Sequence, residues 1–168
     1  LQAAYSDFKY LRPASKQLTE GEALLGVSVT GMMDNPKILL NPDYQKEGAE
    51  HAVRVNKSWA KKLNINQAAR ITCIKPEGTS SLVLGSASGI HPHHSKRYFR
   101  RIQCNKLDPV YRHFKKSNPH MCEESVWSAN KTDDVATFPI VISDKAVVKD
   151  DITALQHLKY IKSTQQNW

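Results

Sequence analysis

Apolar residues recur at helical spacing from the first position, at Leu1, Ala4, Tyr5, Phe8 and Leu11, and this pattern predicts an opening helix that Pro13 ends. Residues 23–31 (ALLGVSVTG) are too few for a helix and rich in Val, which predicts a short buried strand. The two-residue strand period puts Gly26, Ser28 and Thr30 on one face and Val27 and Val29 on the other. A face that small and polar suits either a lumen or site, or close packing against a neighbouring strand. Residues 35–44, broken by Pro36 and Pro42, read as a loop with a short turn.

The clearest helix is predicted over 46–63. There Ala49, Ala52, Val53, Ala60 and Leu63 form one stripe, Glu47, Glu50, Arg54, Lys57 and Lys61 face water, and Asn64 provides the stop. Residues 71–74 read as a strand ending at Lys75-Pro76, and beyond Gly78 the polar Thr79-Ser80-Ser81 leads into Leu82, Val83 and Leu84. Further on, 97–104 has strand composition, 109–116 is helical, 117–136 is polar and loop-rich, and 138–142 is a strand. Asp150 and Asp151 stand where a helix dipole favours acids, ahead of Ile152, Leu155, Leu158 and Ile161. Strands alternating with helices predict an α/β layer or barrel with mostly parallel strands, and both ends of the pattern read as continuing beyond the sequence.

A chain of 168 residues that is 40% hydrophobic and 24% charged can bury one globular core, so 1–168 is expected to be a single domain fragment. No run approaches the roughly 20 apolar residues needed to cross a bilayer, and no charged-then-apolar leader opens the chain, so no membrane role and a cytoplasmic location are expected. The odd, scattered cysteines Cys73, Cys104 and Cys122 argue against a disulfide framework. A net charge of +8 spread along the chain attracts polyanions, and phosphorylated small molecules satisfy it as well as nucleic acid does.

The sharpest local feature is residues 71–81, a strand that turns through Gly78 into a helix start. Helix N-termini offer free N–H groups and partial positive charge, Gly78 allows close approach, Thr79, Ser80 and Ser81 add hydroxyls, and Lys75 or a distant Arg could add charge. The same residues also make an ordinary N-cap, with Glu77 complementing its own helix dipole. The spacing is not that of a P-loop. Residues 85–95 form a small-residue loop with His91, His93 and His94, which reads as lining a site or as a solvated turn. No Cys, Asp or Glu stands near those histidines at ligand spacing, so no metal site is expected. Arg97, Arg100 and Arg101 either reach an anion or point to solvent.

Taken in order, Leu25-Gly26-Val27-Ser28-Val29-Thr30-Gly31, Lys75-Pro76-Glu77-Gly78-Thr79-Ser80-Ser81, Ser88-Gly89-Ile90-His91-Pro92 and Tyr98-Phe99-Arg100-Arg101 resemble the later part of the catalytic barrel of adenosylcobalamin-dependent (class II) ribonucleotide reductases. The opening residues 1–8 and the closing 164–168 fit the same resemblance, and residues 105–150 are the least distinctive. The resemblance implies an α/β fold that is part of a ten-stranded barrel. It also implies an oxidoreductase that replaces the ribose 2′-hydroxyl by hydrogen through thiyl-radical chemistry, with adenosylcobalamin as cofactor of the complete enzyme.

By the same resemblance Gly78, Thr79, Ser80 and Ser81 hold the phosphates of a ribonucleoside di- or triphosphate, and Ser28, Thr30, Pro76, Glu77 and His91 line the site. The remaining part of the reductase and a thioredoxin-like reductant would be partners. The family's Asn-Pro-Cys-Gly-Glu-like segment and its two reducing cysteines do not occur here, so no catalytic residue is assigned and the chain alone is expected to be inactive. The alternatives are a fragment of a class I or class III reductase, or a basic nucleic-acid-binding module. The second is disfavoured by the lack of a recognised binding motif.

Overall fold

The computed structural model describes residues 4–168, which divide into two compact units: residues 4–93 with 145–168, and residues 94–144.

In the first unit, α1 runs Pro13–Glu22, β1 is Val27–Ser28, α2 is Pro36–Leu39, α3 is Pro42–Leu63, β2 is Thr72–Cys73 and α4 is Ser80–Leu84. The expected opening helix is not found over residues 5–12, and Leu1 lies outside the described residues. Pro13 starts α1 instead of ending a helix. It sits in the first turn, where its missing N–H costs nothing, and it holds Arg12 extended at φ −60°, ψ 150°. Tyr5 and Leu11 of the expected stripe are exposed.

The longest helix is as expected at its end and four residues longer at its start. Asn41 accepts the N–H groups of Asp43 and Tyr44 at 2.9 and 3.3 Å, Pro42 follows in the first turn, and Asn64 closes the helix in the left-handed region at φ 54°. The expected strand over 23–31 shrinks to the two residues of β1. It pairs in parallel with β2, Val27 opposite Thr72 and Ser28 opposite Cys73. The core of this unit is Met32, Met33, Ala87 and Ile90, with Val29, Leu39, Ile74, Ile152 and Tyr160 packed against it. The loop after α4 therefore enters the core and is not a solvated turn.

The second unit is an antiparallel sheet in the order β3 (Arg97–Asn105), β5 (Asp133–Val141), β4 (Cys122–Glu124), with α5 (Pro109–Ser117) between β3 and β4 in the chain. This corrects the expectation of mostly parallel strands. The nine residues of β3 pair antiparallel with β5 from Arg97–Val141 to Asn105–Asp133. It also corrects the loop expected over 117–136, whose polar residues include β4 and the start of β5. The polar-looking Asp134 is 1% exposed, and there its carboxylate accepts from Tyr111 Oη and Lys115 Nζ, each at 2.6 Å. A paired buried acid reads as a loop residue in sequence and behaves as core in space.

The chain returns to the first unit through a single parallel bridge, His93 opposite Val148. The last helix, α6 (Ala154–Asn167), is started by Thr153, whose hydroxyl accepts from Gln156 N–H while the Gln156 side chain accepts from Thr153 N–H.

Candidate functional site

Because β1 and β2 run parallel, their carboxyl ends lie side by side, and the residues singled out in the sequence gather there. Ser28 Oγ accepts the Lys75 N–H at 3.0 Å. Thr30 Oγ1 donates to the Ala87 carbonyl at 3.0 Å and accepts the Gly89 N–H at 2.9 Å. The N–H groups of Gly31 and Met32 add bonds to the carbonyls of Ala87 and Gly89 at 2.9 and 3.1 Å. From the other side, Ser88 Oγ donates to the Pro76 carbonyl.

Gly89 has φ +55°, and a Cβ there would stand 2.5 Å from the Lys75 carbonyl oxygen, so only glycine lets these two loops meet. The polar face of β1 is thus spent on its neighbours. Ser28 and Thr30 hold the loops through their side-chain oxygens.

The turn itself is shaped by Glu77, which takes φ +53°. Its carboxylate accepts a hydrogen bond from Ser80 Oγ, and that bond holds its pKa below the ordinary value against a smaller opposing effect of desolvation, helped by Ser28 and the Lys75 charge. An ionised carboxylate therefore already stands beside the turn. Ser81 is buried, and its N–H bonds the Glu77 carbonyl at 3.0 Å. Thr79 begins α4 without a side-chain cap, so the ordinary N-cap reading of its hydroxyl does not hold.

Among the described residues the N–H groups of Gly78, Thr79 and Ser80 meet no acceptor, and all three residues are exposed. A Cβ on Gly78 would meet nothing within 4 Å. This arrangement can bind an anion by backbone donors. The Glu77 carboxylate beside it is a base already engaged by Ser80 Oγ.

The three clustered histidines go to three different partners. His91 is exposed, with Nδ1 3.1 Å from the Ser88 carbonyl and its ring edge-on to His157 at 5.8 Å. His93 is buried, and its Nε2 lies 2.5 Å from Asp34 Oδ1. His94 belongs to the other unit, where its ring lies 6.2 Å from Tyr98. Among the described residues no group of three His, Cys, Asp or Glu could hold a metal ion.

In the second unit Arg101 pairs with Glu123, and Arg100 donates to Tyr98 Oη at 3.1 Å. Cys73, Cys104 and Cys122 are free thiols, and burial pushes the Cys104 thiol pKa up.

Two contributors were missed in the sequence. Asp34 binds both His93 and the Ala87 N–H, the latter at 2.9 Å, across 59 and 53 positions, a link that no local pattern announces. Trp168 donates from its indole to the Cys73 carbonyl at 3.0 Å and accepts from Thr72 Oγ1 at 2.6 Å. It lines a cavity of about 790 Å³ beside β2, together with Ile71, Thr72, Cys73, Ile161 and Thr164. A corrin with its nucleotide tail is bulkier than this cavity, so these residues do not form a site for adenosylcobalamin by themselves.

No family model matches the chain. Curated proteins do. The chain is 29% identical over 106 residues to the adenosylcobalamin-dependent ribonucleoside-triphosphate reductase of Euglena gracilis, and 28% identical over 85 residues to that of Lactobacillus helveticus. These alignments take in 63% and 50% of the chain. Both matches are to adenosylcobalamin-dependent ribonucleoside-triphosphate reductases, to part of which the chain is similar. The chain spans only 14% and 11% of the length of those two relatives.

The crystal structure of a B-12 dependent (class II) ribonucleotide reductase superposes with a TM-score of 0.77 over 93% of the chain and 26% of that protein, at 16% identity, so that likeness is one of fold. No described helix is long and apolar enough to cross a membrane.

Proposed function

We propose that this chain supplies the substrate-phosphate turn of a class II ribonucleotide reductase whose remaining barrel, radical cysteine and reducing cysteines lie on polypeptide outside these 168 residues. The observation that carries the reading is the set of unpaired, exposed N–H groups at Gly78, Thr79 and Ser80. They stand at the carboxyl end of a parallel strand pair, where α/β sheets place ligands. Those amides, with the Thr79 hydroxyl and with the Ser80 hydroxyl once it turns from Glu77, would bind the phosphates of a ribonucleoside triphosphate, the substrate class in the relatives' names. Pro76 and Glu77 shape the turn, and His91 and Ser81 flank it.

The two-residue parallel pair β1–β2 is too small to stand as a sheet by itself and would be extended by the missing strands of a ten-stranded barrel. The whole of 1–168 is then one fragment of that catalytic domain, working in the cytoplasm with a thioredoxin-like reductant. Adenosylcobalamin supplies radical chemistry in the complete enzyme. The residues here bind and orient the nucleotide.

Two measurements test this. Replacing Thr79 and Ser80 together by Ala is expected to weaken binding of a ribonucleoside triphosphate by roughly 1–3 kcal/mol, the scale of hydrogen bonds to a charged group, with little change in melting temperature. Gly78→Ala is expected to leave folding intact while also weakening binding, because its new methyl would meet only the ligand. Unchanged affinity in both would remove the turn as the phosphate site.

The isolated chain is expected not to reduce ribonucleotides. Mixed with the rest of the reductase it should support turnover that requires adenosylcobalamin, whereas turnover requiring a diiron partner instead would overturn the class II assignment.

A further inference from the structure

We propose that Asp34 and His93 are positioning residues for the anion turn, an inference that rests on the phosphate reading above. Asp34 Oδ1 lies 2.5 Å from His93 Nε2, and its other oxygen accepts the Ala87 N–H at 2.9 Å. His93 and Ala87 are 6% and 2% exposed, so neither partner can turn to water when Asp34 is removed. Gly31 backs the same carboxylate so closely that a Cβ on it would stand 2.8 Å from Asp34 Oδ2.

The loop that Asp34 grips is the one that sets the turn. Ser88 donates to the Pro76 carbonyl, and Gly89 abuts the Lys75 carbonyl. Lys75 and Pro76 lead directly into Glu77 and Gly78, so a shift of the 86–89 loop is carried through two carbonyls to the free N–H groups. His93 is itself pinned on both sides: its N–H donates to the Val147 carbonyl at 3.2 Å, and its carbonyl accepts the Lys149 N–H at 2.8 Å. The pair therefore fastens the loop to a fixed backbone, and neither residue touches the anion.

The test uses the full chain with inorganic tripolyphosphate and cytidine triphosphate as probes, followed by the amide resonances of Gly78, Thr79 and Ser80. Asp34→Ala and His93→Ala are each expected to weaken both probes about tenfold, as when one turn N–H swings out of reach of the anion, and the double variant to be no weaker than the worse single. Asp34→Asn and His93→Gln, which keep an acceptor for Ala87 and a donor for Asp34, should restore affinity to within about threefold. They also serve if the alanine variants fail to fold.

Ala60→Gly in α3 controls for lost stability alone, since it should lower the melting temperature without moving affinity. Wild-type affinity in the Asp34 and His93 variants, with Thr79→Ala/Ser80→Ala still impaired, overturns the positioning role and leaves the phosphate turn standing. Equal weakening in Ala60→Gly also overturns it, and no response of the wild-type chain to either probe removes both readings.

Discussion

Asp134→Ala is expected to cost the second unit about 3 kcal/mol and to release the exchange of amide hydrogens along β3 and β5 while those of α3 stay protected. The carboxylate is 1% exposed, takes 2.6 Å hydrogen bonds from Tyr111 Oη and Lys115 Nζ, and has Lys106 Nζ at 3.5 Å. Truncation would strand a buried phenol, while the two half-exposed lysines can turn to water, which keeps the loss at the lower end for a broken buried pair. Asp134→Asn keeps an acceptor for Tyr111 and should lose less.

The same cluster sets a pH window. Burial, the largest influence on Asp134, pushes its pKa up, but the Lys115 and Tyr111 hydrogen bonds and the lysine charges outweigh it, and the folded value lies below the ordinary one. A depressed acid stabilises fully above its unfolded pKa, about 4, and the contribution is lost as pH falls through the folded value. Burial and the Asp134 bond raise Tyr111, whose contribution is full below the unfolded value of about 10 and is lost above it as the phenol ionises. Denaturation of the unit followed by exchange should therefore show a plateau between about pH 4 and pH 8.5, the upper edge set by the half-buried Cys104 thiol ahead of Tyr111. Stability that holds flat well below pH 3 would show that Asp134 is not the group responsible.

The second large effect is expected from Gly89→Ala. Two costs add there: a positive φ of 55°, and a methyl placed 2.5 Å from the Lys75 carbonyl oxygen, a backbone atom that no rotamer change can move aside. Gly85→Ala separates them, because Gly85 has φ 66° but its Cβ would meet nothing within 4 Å. Gly85→Ala should cost about 1 kcal/mol, and Gly89→Ala roughly 1–3 kcal/mol more, with a loss of tripolyphosphate affinity that Gly85→Ala does not share. Equal melting temperatures for the two variants would mean that the 75–76 and 88–89 loops are not in contact.

What could be read from the sequence follows the range of the interactions. The helix over 46–63 and its stop at Asn64 were legible because stripe and cap are local. The gathering of Ser28, Lys75–Ser81 and Ser88–Gly89 was legible only as a resemblance of ordered motifs, since the bonds that join them span 47 and 12 positions. Pro13 was misread because a proline that begins a helix and one that ends it look alike without the tertiary context of the residues before it. Asp134 and Asp34 were not legible at all, because an acid is recognised as buried only when its partners are known, and Lys115, His93 and Ala87 lie 19, 59 and 53 positions away.

The bridge between His93 and Val148 means that residues 94–144 leave and re-enter the first unit through adjacent backbone points. The ends of that excursion are closed by the first unit's own hydrogen bonds, so its length carries only a slowly rising entropic cost. Such a junction tolerates grafting: evolution or an engineer could shorten, swap or decorate the antiparallel module while the anion turn keeps its anchorage.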